Sequence, residues 1–535
     1  MSNILEALSD NIIIDKNKCT YCGKCTETCV VDNVRLKVSP CRQECPLDLN
    51  CQGYVKLIER GELDKALAAV YEATPFAGVL GRICHHPCEE ACKRKDVDGQ
   101  AVAIRELKRF LADHAACPAI SPPRAENGKK VGIIGGGPAG SMAAYLLRRQ
   151  GFQVVVYEAG ARLGGMMAYH IPDFRMPQDV LARDMNQLAA IGVTVRYNTA
   201  VGRDIPLAEI QQNHDYVIIA AGTHVNKKLN MQGEDSPNVY NVLNFLRQAK
   251  DAVKPQVGRR VVVIGGGNTA VNAAQTALRL GAEDVRILAL ECQEALPAFK
   301  TEIQEAMREG ILFDCGWGPS RFVERDRRIA AVEFKRCLSV CSRDGSFDPL
   351  FAEGERMEVA ADTVIVAIGQ TADMSFTGGT GIAVERGLIA VDPVTMQSSV
   401  PRVFAAGDIV TGPTSVVDAL AQGREAAESI WRDYRGLPLS YERDRSTGFE
   451  TEYTIDLSQA VSGTRAQSPK IDGTSRRTFV EFEKTLTKDQ ALAESKRCLS
   501  CGEPFGKYRT CWSCLACEVE CPEKALSVEV PYLLR

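Results

Sequence analysis

Two glycine-rich turns, each set between an apolar strand and a helix, restrict this chain more than any other feature. Gly135-x-Gly137-x-x-Gly140 follows Val131–Ile134, and Gly265-x-Gly267-x-x-Ala270 follows Val261–Ile264. In such a turn the first glycine permits a tight bend and the second lets backbone approach a pyrophosphate. The third small residue lets helix and strand pack closely, and the helix N-terminus adds partial positive charge. One such turn alone is a weak signal, but each here leads into a second strand that ends in a carboxylate. Glu158 stands 18 residues after Gly140, and Glu291 follows Val285–Leu290. The expected fold is therefore α/β, with two nested Rossmann-like dinucleotide-binding units. The outer unit takes residues 119–255 and 371–437, and the inner one takes 256–370.

The outer unit reads as an FAD site. Pro138 and Ala139 complete its turn, Ala159 and the run Arg162 to Gly165 follow the acid, and Ala221-Gly222 ends the strand Tyr216–Ile219. Residues 403–427, VFAAGDIVTGPTSVVDALAQGREAA, resemble the flavoprotein segment in which the Asp of Gly407-Asp408 holds the ribityl chain. The helix that follows would aim its N-terminus, near Ser415 and Val416, at the flavin ring and favour negative charge there. The inner unit, with Asn268 and Thr269 in its turn and Gly369 after its last strand, reads as a nicotinamide site. A carboxylate at Glu291 accepts hydrogen bonds from the 2′-hydroxyl of NAD and repels the 2′-phosphate of NADP, which favours NAD. The plainer alternative is a solvated loop acid.

Cysteine is the compositional anomaly. Of 21 in the chain, eleven lie between Cys19 and Cys117, six between Cys498 and Cys521, and four in the long middle. The net charge of −4 gives no reason to expect a nucleic-acid partner, and no apolar run reaches the length of a membrane span. The start has no signal-peptide pattern, so a cytoplasmic location is expected. In a reducing compartment, thiols this dense point to bound metal rather than disulfides. Cys511-x2-Cys514-x2-Cys517-x3-Cys521-Pro522 is a complete bacterial ferredoxin run, and Cys19-x2-Cys22-x2-Cys25-x3-Cys29 repeats its spacing without the proline. Zinc prefers two CxxC pairs across a longer loop, so [4Fe–4S] is the stronger reading. If the two runs meet, the crossed pattern gives Cys29 to the tail set and Cys521 to the head set. Cys41, Cys45, Cys84, Cys88 and Cys92, with Cys498 and Cys501, add seven thiolates, and Cys51 is an eighth candidate. The total is at least two clusters and up to four. Cys117, Cys292, Cys315, Cys337 and Cys341 read as ordinary core or loop cysteines.

A chain of 535 residues exceeds one core, so about three to four domains are expected. Besides the two nucleotide units these are a ferredoxin-like segment 1–40, a helical iron–sulfur head 41–118, an irregular connection 438–490 running over the surface, and a ferredoxin-like tail 491–535.

PCRQECPLDL, TPFAGVLGRICHHPCEEACKR, AIRELKRF, GGGPAG, GGMMAYHIPDFRMP, GGGNTA, VAIGQ and AAGDIVTG occur in this order. Over about residues 40–435 the sequence thereby resembles the glutamate synthase small (beta) subunit and the N-terminal half of dihydropyrimidine dehydrogenase. The resemblance implies two [4Fe–4S] clusters in the head, FAD in the middle, and a nicotinamide nucleotide exchanging hydride with that FAD. Two departures matter. The family's early CxxC is replaced by Lys37-Val38-Ser39, and Cys498-Leu499-Ser500-Cys501 resembles that pair displaced to the far end, where it could complete a cluster with Cys41 and Cys92. Many members also carry Tyr-Arg-Arg where this chain has Ala289-Leu290-Glu291, which again favours NAD.

The reading that follows is an NAD(H)-linked FAD and iron–sulfur oxidoreductase module. Hydride exchange between cofactors needs no side-chain acid or base, so no catalytic residue is expected. A larger substrate-converting or ferredoxin-like partner subunit is expected, for example of a 2-oxoacid:acceptor oxidoreductase. A glutamate synthase small subunit and a non-enzymatic scaffold with decayed nucleotide sites are the alternatives.

Overall fold

The computed structural model describes residues 11–116 and 123–529, except 343, 442, 444–448, 459, 474–475 and 508–510. Cys117 lies outside the described residues.

Apolar runs rich in valine and isoleucine, bounded by glycine turns, form two buried parallel sheets, as strands covered on both faces require. In the first, the order across the sheet is Val403–Ala405, Tyr216–Ile219, Lys130–Ile134, Gln153–Tyr157, Thr194–Arg196. In the second it is Leu312–Cys315, Asp284–Ala289, Arg260–Ile264, Thr363–Val366, Val239–Asn241. Every pairing in both sheets is parallel. Each glycine-rich turn leaves the central strand, where neighbouring connections depart in opposite directions and a crevice opens.

The inner unit starts earlier than the expected residue 256. Val239–Asn241 pairs with Val364–Val366, and the helix Val242–Gln248 buries Leu243, Phe245 and Leu246 in the second unit's core. The crossing between units is an antiparallel ribbon of Val225–Asn226 with Gln370–Thr371. The inner unit also carries an antiparallel meander, Trp317–Arg325, Arg328–Cys341 and Phe347–Ala360, which the sequence reading did not anticipate.

The head is helical, as its 3.6-residue periodicity requires. Cys51–Glu59, Leu63–Ala73, Ala77–Ile83 and Ile104–His114 pack around Tyr54, Ile58, Leu67, Val70, Leu107 and Phe110. The late helix Lys488–Ser495, opened by a capping box at Thr487 and Gln490, joins this core through Ala491. The two ends of the chain form one lobe. Ile12–Ile14 pairs antiparallel with Leu526–Val528, and Val34–Lys37 pairs antiparallel with Glu503–Gly506.

The connection 438–490 has little regular structure, yet it does more than cross the surface. It lies between the head and the inner unit and is anchored to both by ion pairs. Arg476 and Lys470 reach Glu305, while Glu481 and Glu483 receive Arg82 and Arg105 from the head. Arg279 and Glu309, a fully buried pair at 2.6 Å, sit beneath it, and Arg279 Nε donates to the Thr478 carbonyl.

Candidate functional site

In the first turn, a Cβ on Gly135 (φ +99°) would stand 2.4 Å from the Ala220 carbonyl oxygen, and one on Gly140 would stand 2.0 Å from that of Gly135. Only glycine fits at either position. At Gly137 the nearest atom would be 3.9 Å away, so the face that would receive a pyrophosphate is open. Glu158 is buried and holds the turn, since Gly136 N–H and Gly160 N–H donate to its two carboxylate oxygens at 2.8 and 2.7 Å. The remaining lone pairs are free to take a ribose hydroxyl. Arg162 lies over the Tyr169 ring at 4.9 Å, and Ala159 is exposed beside it.

The distant segments converge on this turn. Gly165 abuts Gly137, and Gly407 (φ +81°) abuts Ala139. The helix Val416–Arg435 crosses Pro138–Arg149 so closely that a Cβ on Gly423 would meet the Ala139 carbonyl oxygen at 2.1 Å. Ser415 caps that helix, its hydroxyl accepting from Asp418 N–H at 3.2 Å. Asp408 accepts from the N–H and hydroxyl of Thr414. Burial raises its carboxyl above the ordinary value. Beside it, the buried Thr223 hydroxyl, next to Ala221-Gly222, faces the Asp408 carboxylate. An open glycine face, a capped helix N-terminus and a buried carboxylate with a hydroxyl facing it suit the phosphates and polyol chain of FAD.

Two histidines that sequence reasoning did not single out border this region. His170 and His224 have ring centroids 6.1 Å apart. Burial, followed by repulsion from His224, Arg247 and Lys250, drives His170 down to about 3, so its ring is neutral. The signal for His170 lay in the HIPDF run, whose role no spacing rule discloses.

The second turn repeats the first. A Cβ on Gly265 (φ +127°) would stand 2.3 Å from the Ala367 carbonyl oxygen, whereas at Gly267 nothing lies within 4 Å. Ala270 is fully buried in the helix Asn268–Arg279, with Thr269 half-buried before it. Asn268 Oδ1 accepts from Phe299 N–H at 2.8 Å, which folds residues 296–299 against the turn. Glu291 faces the turn, because a Cβ on Gly266 would be 3.2 Å from its Oε2. Gly369 (φ +103°) forms the exit beside Lys227. The meander brings Arg336 to the same end of the sheet, where its Nη1 donates to the Cys315 carbonyl at 3.3 Å.

The sixteen singled-out cysteines gather into four sets. Cys19, Cys22, Cys25 and Cys521 line one pocket. Cys517 has Cys29, Cys511 and Cys514 as neighbours. Cys41, Cys92, Cys498 and Cys501 line another pocket, of which Cys51 also forms a wall. Cys45, Cys51, Cys84 and Cys88 surround one another, with Cys51 also touching Cys41. Burial pushes Cys19 up to about 11 and Cys25 and Cys501 to about 12, so at these three positions a thiolate needs a stabilising cation, whereas hydrogen bonding from Cys51 draws Cys41 down and Cys45 to about 6. Among the described residues no three metal-ligating side chains are placed as a group that would hold a single metal ion. Cys45 and Cys84 also pack against the FAD-unit core. Tyr21 has both Cys19 and Cys498 near its hydroxyl. Cys514 is exposed, beside Trp512 at 74% exposure. Cys292, Cys315, Cys337 and Cys341 stay outside all four sets.

The family model "Pyridine nucleotide-disulphide oxidoreductase" matches residues 129–423, and "Dihydropyrimidine dehydrogenase domain II, 4Fe-4S cluster" matches 3–119. The chain belongs to the pyridine nucleotide-disulphide oxidoreductase family. It is an oxidoreductase flavoprotein with 4Fe–4S centres that acts in electron transfer. It is 37% identical over 502 residues to the NADP(+)-dependent formate dehydrogenase subunit beta of Moorella thermoacetica, covering 86% of this chain and 70% of the relative. The NADPH-Fe(3+) oxidoreductase subunit beta of Geobacter sulfurreducens is 32% identical, over 86% and 75% of the two chains. The Azospirillum brasilense glutamate synthase [NADPH] small chain is 32% identical, over 77% and 87%. Among solved structures, Mycobacterium tuberculosis FprA in complex with NADPH shares the fold over 58% of this chain and 84% of its own, with a TM-score of 0.50 and 18% identity. Among the described residues no helix is long and apolar enough to cross a membrane.

Proposed function

We propose that this chain is an NAD(H)-linked electron-transfer subunit in which FAD and four [4Fe–4S] clusters join a nicotinamide nucleotide to a larger, substrate-converting partner. The observation that carries this reading is the placement of the cysteines. Four sets extend from Cys45 and Cys84, against the FAD unit, to the lobe in which Cys514 is exposed. The ligands are Cys45, Cys51, Cys84 and Cys88; then Cys41, Cys92, Cys498 and Cys501; then Cys19, Cys22, Cys25 and Cys521; and last Cys29, Cys511, Cys514 and Cys517. FAD supplies the exchange between a hydride pair and single electrons, which clusters carry one at a time. The protein's part is to position. Gly135, Gly137, Pro138, Ala139 and Gly140 receive the pyrophosphate, Glu158 the adenosine ribose and Asp408 the ribityl chain. Ala159, Arg162, Gly165, Ala221 and Gly222 enclose the FAD, with Gly407, Ser415 and Val416 toward the flavin end. Gly265, Gly267, Asn268, Thr269, Ala270 and Gly369 seat the nicotinamide nucleotide. Glu291 selects NAD by repelling a 2′-phosphate.

A second reading, NADPH as the nucleotide, is favoured by Arg336 at the same sheet end and by the NADP-linked names of the relatives. Anaerobic titration with NADH and with NADPH, following flavin bleaching and cluster EPR, decides between them. Rapid bleaching by NADH alone, with about sixteen irons per chain, supports the first reading. Preference for NADPH overturns the role given to Glu291, and zinc in place of iron overturns the cluster assignment. Co-purification with a larger subunit is expected from the native source, and its absence from every preparation counts against the partner.

A further inference from the structure

Lys108 is buried to 5% exposure in the head. It lies on the helix Ile104–His114 between Leu107 and Phe110, both in the apolar core. Its neighbours on that helix are paired. Arg105 meets Glu106 and Glu483, and Arg109 meets Asp113 and Glu481. None of the described ion pairs or hydrogen bonds engages the Lys108 ammonium. Leu107 and Phe110, on either side of it, share one packed core with Cys51, Cys88 and Cys45, and the thiols of Cys84, Cys88, Cys45 and Cys51 act on its ammonium against burial.

An ammonium buried without a compensating charge costs several kcal/mol or more and normally finds an anion. Four thiolates holding an iron–sulfur cube supply that anion as a net negative group. We propose that Lys108 is the fixed counter-charge of the cluster held by Cys45, Cys51, Cys84 and Cys88, and that it sets this cluster's reduction potential above the value the same ligands would give without it. This inference rests on the ligand assignment made above. Net charge close to a cluster is one of the determinants of its potential, and a cation favours the form carrying one more electron. Of the four sets, this one packs against the FAD-unit core, so Lys108 makes the flavin-side centre the better electron sink. It is a positioning residue, acting by charge and touching no substrate.

The test compares wild type, Lys108→Gln, Lys108→Arg and Cys84→Ser, purified anaerobically as full chains, by iron content and EPR-monitored redox titration. Cys84→Ser identifies the signal of this centre, because that signal alone is lost or altered. In Lys108→Gln the same signal should shift, with iron and flavin content intact. At the wild-type midpoint its reduced-to-oxidised ratio should fall at least tenfold, which for a one-electron couple is about 59 mV. Lys108→Arg should titrate close to wild type, and the other signals should not move. An unchanged midpoint in Lys108→Gln with full iron overturns the counter-charge role while leaving the cluster in place. Loss of the centre in both Lys108 variants also overturns it, making the residue structural. If Cys84→Ser changes neither iron content nor any signal, the ligand assignment itself fails.

Discussion

Glu291 is where one side chain makes the sharpest functional claim. The strand Asp284–Ala289 delivers it to the rim of the second turn, and its Oε2 faces Gly266. A carboxylate here is compatible with a 2′-hydroxyl and repels a 2′-phosphate. Glu291→Arg should therefore raise the NADPH-to-NADH ratio of flavin reduction rates by roughly a hundredfold, as a like-charge contact of about 2–3 kcal/mol implies. A ratio that does not move, or a wild type that already prefers NADPH, contradicts this. The residue was legible because strand-end acids occur at a fixed offset from the turn. Arg336 was not, because it arrives 45 residues further along on a meander strand, Arg328–Cys341, that no fixed offset ties to the glycine turn.

Among elements, the docking of the head onto the FAD unit turns on Asp184. The helix Gln178–Ala190 buries this side chain to 1% exposure, and its Oδ2 accepts from Val79 N–H at 2.8 Å in the first turn of Ala77–Ile83. That N–H has no partner within its own helix, so Asp184→Ala should destabilise the protein by about 1–2 kcal/mol. Burial raises the Asp184 carboxyl to about 7. In the folded chain the proton is then kept to about pH 7, whereas the unfolded chain releases it near 3.9. Between these values the folded form binds more protons, so the stability contributed by this group falls as pH rises from about 4 to 7. Asp184→Asn cannot titrate. Its melting temperature should gain on wild type steadily between pH 4.5 and pH 8, and a constant difference would refute the linkage. The parallel strands and head helices were readable from apolar runs and periodicity. The connection 438–490 was not, because Arg476, Lys470, Glu481 and Glu483 hold it by ion pairs that leave no periodic trace in sequence.

On the scale of the whole molecule, the cysteine spacing indicated how many sets there could be, and the fold supplies which thiols share one. Within each ferredoxin run three cysteines lie close enough to share a set, while the fourth, four residues further on, is carried out by the short helices Lys24–Thr28 and Ala516–Val519. Pairing of Ile12–Ile14 with Leu526–Val528 then brings Cys521 to Cys19, and the return turn brings Cys29 to Cys517. The crossed pattern was expected from spacing, and the return of Cys498 and Cys501 to Cys41 and Cys92 from the resemblance to the glutamate synthase small subunit. The position of Cys51 between two sets was not, since only the packing of the helix Cys51–Glu59 under the head defines it. The crossing has a consequence that an uncrossed arrangement lacks. Cys29→Ser should alter the same EPR signal as Cys514→Ser, although these residues stand at opposite ends of the chain, and Cys521→Ser should alter the same signal as Cys22→Ser. Each variant should lose up to about four irons, the content of one cube. If Cys29→Ser instead reproduces Cys22→Ser, each end of the chain holds its own cluster. The two termini would then form one lobe by strand pairing alone, with no shared ligand to bind them.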